Sequence, residues 1–256
     1  MTTTVRAAPV RNILITRSKE GNEELAASLK LAGLNPVSVD AISLSPPKDW
    51  SVIDRFLRRL HSFDWLVFTS ATGAEYFGGR MKSLSLRLPW QGKPLVAAVG
   101  GRTAERLSRF GINPDFIPSA YLTRKLGEEL PVEDGARVLL LRADIADPEL
   151  SERLRARGCE VQEGAIYRTQ LAGRTTGKKL GDVDLIVFAS PSAVRGFCTS
   201  VTEEEVARLQ GVRAICIGPV TEAAAKENGF AMTIVPRSYT LKAVVEEIRR
   251  LSRRDA

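Results

Sequence analysis

Three features of the 256-residue chain predict an α/β protein built as two similar parallel-sheet domains. Short apolar strands alternate with amphipathic helices along the whole chain, a pattern that sets strands side by side in one direction with helices on both faces. Several strands, such as Asp64 to Thr69, are continuously apolar, as strands buried on both faces of a parallel sheet are. A long stretch also occurs twice, which decides for two units of about 120 residues over one large one.

The repeat holds its register. Leu95 to Glu105 aligns with Arg213 to Ala223 at a shift of 118 positions, setting Gly100 on Gly218 and Thr103 on Thr221. The same shift sets Gly111 on Gly229, Pro118 on Pro236 and Tyr121 on Tyr239, so a helix, a strand and a second helix start all recur. Upstream, Asp64 to Ser70 matches Asp184 to Ser190 at a shift of 120. The chain's opening also returns: Arg17, Leu25, Leu29 and Gly33 align with Arg142, Leu150, Leu154 and Gly158 at a shift of 125. Taken alone, the repeat suggests two sequential halves.

In chain order, Asn12 to Thr16 is a short strand, and Leu25 and Leu29 mark a helix that ends near Gly33. Pro36 to Leu44 alternates through Val37, Val39 and Ile42 as a strand does, until Ser45-Pro46-Pro47 stops it. A helix from Trp50 to Leu60 carries Ile53, Phe56, Leu57 and Leu60 on one face, and the single histidine, His61, is expected to complement the helix end there rather than to act as a catalyst. After the strand Asp64 to Thr69, Ser70 to Gly73 open the next helix. The repeated strand then ends at Gly100, followed by a helix from Thr103 to Phe110, a strand from Asp115 to Pro118 and a helix from Thr123 to Leu130.

The strand Arg137 to Arg142 leads to Asp147-Pro148, a cap and first-turn proline. Cys159 to Leu171 is a strand containing Tyr167. Gly173 to Gly181 is a polar loop whose glycine spacing, with no buried strand before it, is wrong for a phosphate-binding loop. The second half closes with strands ending at Ser190 and Gly218, a helix from Thr221 to Asn228, a strand from Thr233 to Pro236 and a final helix to about Leu251.

Composition narrows the class. A hydrophobic share of 44% with 26% charged residues is globular, and no apolar run approaches the roughly 20 residues that cross a bilayer. Met1 to Val10 has no apolar core and does not read as a secretory signal, so a cytoplasmic protein with no membrane partner is expected. Cys159, Cys198 and Cys216 are isolated, as core thiols are, and fit a reducing compartment. The net charge of +7 favours an anionic partner. It does not by itself make the chain a nucleic-acid binder: the basic run Arg249 to Arg254 lacks interleaved aromatics, and no nucleic acid is expected as partner.

Ligands of open parallel sheets lie beyond the carboxyl ends of the strands. That rule selects Arg17-Ser18, Ser70 to Gly73, Gly100 to Thr103, Arg142 to Asp144, Ser190 to Ser192 and Gly218 to Thr221, and within these stretches Arg17, Ser70, Gly100, Gly101, Thr103, Arg142, Ser190, Ser192, Gly218 and Thr221 are the binding candidates. Glycines before helices leave backbone N–H groups free at the positive end of a helix dipole, where carboxylate or phosphate binds. The plainer reading is that Ser70, Thr103, Ser190 and Thr221 only cap their helices. Their recurrence in both copies favours two faces of one site. No HExxH, CxxC or Ser-His-Asp pattern is present, so metal and hydrolytic chemistry find no support, and no metal ligand is assigned.

Six segments in order resemble one family. Phe68 to Gly73, Val99 to Ala104, Val138 to Arg142, Ile166 to Thr169, Phe188 to Val194 and Ile217 to Ala223 together are similar to uroporphyrinogen-III synthase, over about residues 12 to 250. Two positions depart from the family pattern: Thr72 stands where Asn is frequent, and Gly101 where Pro is frequent. The resemblance implies an enzyme that closes the linear tetrapyrrole hydroxymethylbilane to uroporphyrinogen III while inverting its last ring, through azafulvene and spiro intermediates, with no cofactor. It implies two flavodoxin-like domains joined by a two-strand linker with a cleft between them. About 1 to 38 and 172 to 256 form one domain, with 39 to 171 inserted. Matching the family's tyrosine, Tyr167 on a crossing strand becomes the catalytic candidate, acting on a small-molecule substrate in a monomer. The competing reading is a two-lobed, non-enzymatic binder of a small anion.

Overall fold

A computed structural model describes residues 10–86, 92, 94–171 and 180–254. The expected N-terminal tail and most of the polar loop from Gly173 to Gly181 lie outside the described residues. The chain divides into two compact units, residues 1–44 with 170–256 and residues 45–169.

The chain builds the first unit with β1 (Asn12–Ile15), α1 (Lys19–Leu31) and β2 (Asn35–Ser38). Across the unit boundary lies β3 (Ile42–Ser45), a strand of the second sheet, followed by α2 (Ser51–Arg58), β4 (Trp65–Phe68), α3 (Ala71–Ser83), β5 (Leu95–Ala98), α4 (Gly101–Ser108) and α5 (Thr123–Glu129). After β6 (Arg137–Ala143), α6 (Glu149–Ala156) and the long β7 (Glu160–Leu171) it returns to the first unit. There it adds β8 (Leu185–Phe188), α7 (Pro191–Ser200), α8 (Glu203–Gln210), β9 (Arg213–Cys216), α9 (Pro219–Glu227), β10 (Thr233–Ile234) and α10 (Leu241–Arg254).

The first sheet runs β10-β9-β8-β1-β2, parallel throughout, and the second runs β3-β7-β6-β4-β5. The order in which strands are added switches sides between β1 and β8 in one sheet and between β4 and β6 in the other, the switch points at which doubly wound sheets bind ligands. The sequential halves suggested by the repeat are therefore not the sheets. The β1-α1-β2 segment joins the later β8 to β10, and its repeat partner β6-α6-β7 joins the earlier β4 and β5.

Alternating side chains of each central strand feed opposite faces. Leu14, Ile186, Phe188 and Ala214 pack with Val194, Phe197 and Ala225, whereas Ile13, Ile15, Val187 and Ile215 pack with Leu25, Leu29, Val244 and Ile248. In the second unit Trp65, Val67, Ala97, Val138 and Leu140 meet Leu126, Leu150 and Leu154. Cys159 and Cys216 belong to these cores, and burial pushes the Cys216 thiol up to about 12.

Three expectations are corrected and one helix is added. The alternating run Pro36 to Leu44 is two short strands in different sheets, broken over Val39 to Ala41. Asn22 holds this break, donating to the Val39 carbonyl at 3.0 Å and to the Asp40 carboxylate at 2.9 Å. A Cβ on Gly196 would stand 2.0 Å from the Ala41 carbonyl oxygen, so only glycine lets α7 lie against this backbone. The strand expected at Asp115 to Pro118 is a single bridge from Ala97 to Phe116. The helix expected to reach Leu60 ends at Arg58 and passes into a 3-10 turn, Leu60–Ser62, that carries His61. Helix α8 went unread, although Thr202 caps it by accepting from the Glu205 N–H and three glutamates fill its first turn.

Candidate active site

In the second unit, β4 delivers Ser70 to the N-terminus of α3, where its hydroxyl accepts the Gly73 N–H at 3.0 Å. A Cβ on Gly73 would stand 3.2 Å from the Leu141 carbonyl and 3.2 Å from Ser70 Oγ, so glycine lets the helix start settle close to β6. Tyr167 comes from β7. The β6–β7 register slips after Arg142, pairing Arg142 with Ala165 but Ala143 with Tyr167. That bulge buries two consecutive residues, Ile166 and Tyr167, and bulges re-aim side chains in this way.

The Tyr167 hydroxyl lies 3.2 Å from Ser70 Oγ, and its ring stacks on Tyr76 with centroids 5.7 Å apart and planes 14° apart. Burial pushes the phenol above its ordinary value of 10, the Ser70 hydrogen bond pulls the other way, and the Asp144 carboxylate and Tyr76 add to the rise. The side chain is therefore a protonated phenol at neutral pH. The end of its strand is braced on the loop after β6: the Asp144 N–H donates to the Tyr167 carbonyl at 3.1 Å, and the Asp144 carboxylate accepts the Thr169 N–H at 2.9 Å.

Gly100 caps α4 with an extended backbone. Its missing side chain makes room for Tyr121, whose ring would be 2.7 Å from a Cβ there and whose hydroxyl would be 3.3 Å from a Cβ on Gly101. The departure at Gly101 thus coincides with a phenol resting over the helix start. In the first unit Gly218 caps α9 likewise, with the Tyr239 ring 3.5 Å from the Cβ position. The repeat register had paired Tyr121 with Tyr239, and that pairing was the available signal for both.

The first unit's other candidates cluster at the ends of β1 and β8. Arg17 donates to the Gly21 carbonyl at 2.8 Å and lies across the first turn of α1, where Gly21 leaves space. Asn22 accepts the Arg17 N–H at 2.9 Å and sets this loop. Ser190 caps α7 through the Ala193 N–H at 3.1 Å and pairs with the Ser192 hydroxyl at 2.9 Å.

Three candidates stand differently from expectation. Arg142 is 7% exposed and turns inward to the Asp147 carbonyl at 2.6 Å, to Ser151 at 3.3 Å and to the Glu163 carboxylate. Burial pushes Glu163 up, but its bonds to Arg142 and Arg155 bring it below its ordinary value of 4.5. Arg142 is thus an internal ion-pair partner, because its strand faces the carboxylate across the β6–β7 ladder. Thr103 and Thr221, each 3% exposed, are third residues of their helices and cap nothing, since Gly100 and Gly218 hold the cap positions.

A family model described as uroporphyrinogen-III synthase HemD matches residues 11–246. The chain belongs to the uroporphyrinogen-III synthase family. A uroporphyrinogen-III synthase of Synechococcus elongatus is 27% identical over 95% of this chain and 96% of its own length. One from Chlorobaculum parvum is 24% identical over 94% and 100%. The fold is shared with crystal structures of uroporphyrinogen III synthase from Thermus thermophilus, at a TM-score of 0.66, and uroporphyrinogen-III synthetase from Helicobacter pylori, at 0.60. Both are 19% identical, covering 96% and 94% of this chain and all of theirs. Uroporphyrinogen-III synthases are enzymes that cyclise hydroxymethylbilane in tetrapyrrole biosynthesis. Among the described residues, no helix is long and apolar enough to cross a membrane.

Proposed function

We propose that this chain converts hydroxymethylbilane to uroporphyrinogen III and that Tyr167 is its general acid. The observation that carries the reading is the buried phenol of Tyr167 in contact with Ser70 beside the switch point of the second sheet, within a family that performs this cyclisation. The pyrrole nitrogen of the terminal ring pushes out the hydroxymethyl oxygen, and the Tyr167 O–H supplies the proton that lets it leave as water. Ser70 accepts from the Gly73 N–H, so its own proton is available to the phenolate that forms. The azafulvene is then attacked by the substituted carbon at the far end of the chain, giving a spiro intermediate that fragments and recloses. The last ring carbon gives up a proton, which restores the phenol. The electron-rich pyrrole supplies the driving force, so the reading calls for no cofactor or metal.

The substrate carries many carboxylates. Their partners in this reading are Arg17, Ser190, Ser192, Gly218 and Thr221 in the first unit, and Ser70, Gly100, Gly101 and Thr103 in the second. Free N–H groups at helix starts favour such anions, and holding both ends of the chain in reactive geometry is the larger part of the catalysis. The same reading makes the enzyme a cytoplasmic monomer. The test is product analysis: hydroxymethylbilane incubated with the protein should yield the type III isomer in place of the type I isomer that forms unaided. Type I alone would reject the reading.

A further inference from the structure

We infer that Tyr76 is the positioning residue of Tyr167, its ring forming one side of a clamp whose other side is Ser70. This deepens the proposed function and rests on it. Tyr167 has two side-chain torsions to fix, and α3 fixes both. Ser70 at the helix cap engages the phenol oxygen at 3.2 Å, and Tyr76, within the same helix, lies nearly parallel against the ring. An offset stack with planes 14° apart constrains rotation about the ring's own axis, which a hydrogen bond to the oxygen leaves open. Together the two contacts hold the O–H at one point and in one plane, which proton transfer requires.

The surroundings of Tyr76 distinguish this role from ordinary packing. Tyr76 is half-buried, whereas Phe77 and Ala74 on the same helix are fully buried. It also lines a cavity of about 330 Å³ shared with Trp50, Glu75, Gly79, Arg80 and Ser83. The cavity rim is stiff: Arg80 Nε donates to Asp54 at 2.8 Å, and the guanidinium lies 4.7 Å from the centre of the Trp50 ring. The ring of Tyr76 therefore has a packed partner in Tyr167 and open space beside it. Loss of its flat face leaves Tyr167 free to tilt toward that space.

The experiment is a double-mutant cycle read by single-turnover kinetics with hydroxymethylbilane. Tyr76→Leu, Tyr76→Met and Tyr76→Phe are each made in the wild-type and Tyr167→Phe backgrounds. Tyr76→Phe, which keeps the ring, should turn over within about twofold of wild type. Tyr76→Leu should lower the saturated rate roughly 3- to 10-fold with KM unchanged, the scale of a lost aromatic pair. In the Tyr167→Phe background the same change should have no further effect, because no proton remains to be aimed. Tyr76→Met keeps volume without a flat face and should match Leu, which covers the case that Leu folds poorly.

A wild-type rate for both Leu and Met would overturn the proposal. So would rate losses that multiply in the double variant, or a KM change without a rate change, which would make Tyr76 a substrate contact. If Tyr167→Phe alone runs at the wild-type rate, the general-acid reading has failed and the clamp falls with it. A slow Tyr167→Phe with an indifferent Tyr76 rejects only the clamp.

Discussion

The serine that caps α3 and the serine that caps α7 occupy equivalent places in the two units, yet their second partners differ. Both accept a backbone N–H, at 3.0 and 3.1 Å, but Ser70 meets the Tyr167 phenol whereas Ser190 meets the Ser192 hydroxyl. The repeated arginines diverge as well: Arg17 lies half-exposed over Gly21, and Arg142 is buried on Glu163. On the proposed reading, one repeated pattern supports two jobs. A hydroxyl whose partner can lose a proton joins in acid chemistry, and a hydroxyl paired with another hydroxyl offers only hydrogen bonds. On the proposed reading, the second unit holds the reactive phenol and the first holds groups suited to binding.

The comparison breaks most visibly at Tyr167. Tyr167→Phe should slow turnover strongly, by an amount at or below the roughly 100- to 10,000-fold typical of a general acid, while type III remains the product. Wild-type rates would return both units to a binding role. Release of the type I isomer would mean that Tyr167 also holds the folded substrate. Because burial holds its phenol above the ordinary value of 10, the alkaline limb of the wild-type rate profile should lie above pH 10, and it should vanish in the Phe variant.

The arginine pair gives the next effect. Arg142→Met should cost about 2 to 3 kcal/mol of stability, below the full cost of breaking a buried pair because part of Glu163 stays in water, with KM unchanged. Arg17→Met should instead raise KM with little change in melting temperature. The folded Glu163 carboxyl holds its proton less tightly than the unfolded one, so the unfolded state binds more protons on the acid side. Its stabilisation is present above 4.5 and is lost as pH falls through the lowered folded value, and melts of Arg142→Met should show a weaker acid-side slope. An Arg142 variant with normal stability and raised KM would contradict the inward assignment.

The smallest effect is expected at the buried threonines. Thr103→Val and Thr221→Val should each weaken turnover by about 1 to 2 kcal/mol if a hydrogen bond to substrate is lost. With glycine in both cap positions, neither change should remove a cap, so unchanged turnover would exclude them from the site.

How much of this was legible follows from what each feature depends on. The alternation of strands and helices, the buried strands and the equivalence of Gly100 with Gly218 are local patterns, and they could be read. The break at Val39 to Ala41 could not, because it depends on Asn22 and on Gly196 packing from distant segments. Arg142 sits at a strand end, where ligands bind, and only the β6–β7 register reveals Glu163 beside it. Tyr76 carries no sequence mark, since its role comes from a ring on another strand. Tyr121 and Tyr239 were aligned by the repeat, but their place over the glycines needed the folded chain.

The most direct test of the division between units compares Ser70→Ala with Ser190→Ala. Each loses one helix cap worth about 1 kcal/mol, so stability should fall equally and any kinetic difference reflects the second partner. Saturating single-turnover measurements with hydroxymethylbilane should show Ser70→Ala slowed roughly tenfold or more, the scale of a hydrogen bond to a charged group. Ser190→Ala should keep a near-wild-type saturated rate with a raised KM. Equal losses of saturated rate in the two variants, or the greater loss at Ser190, would contradict the account.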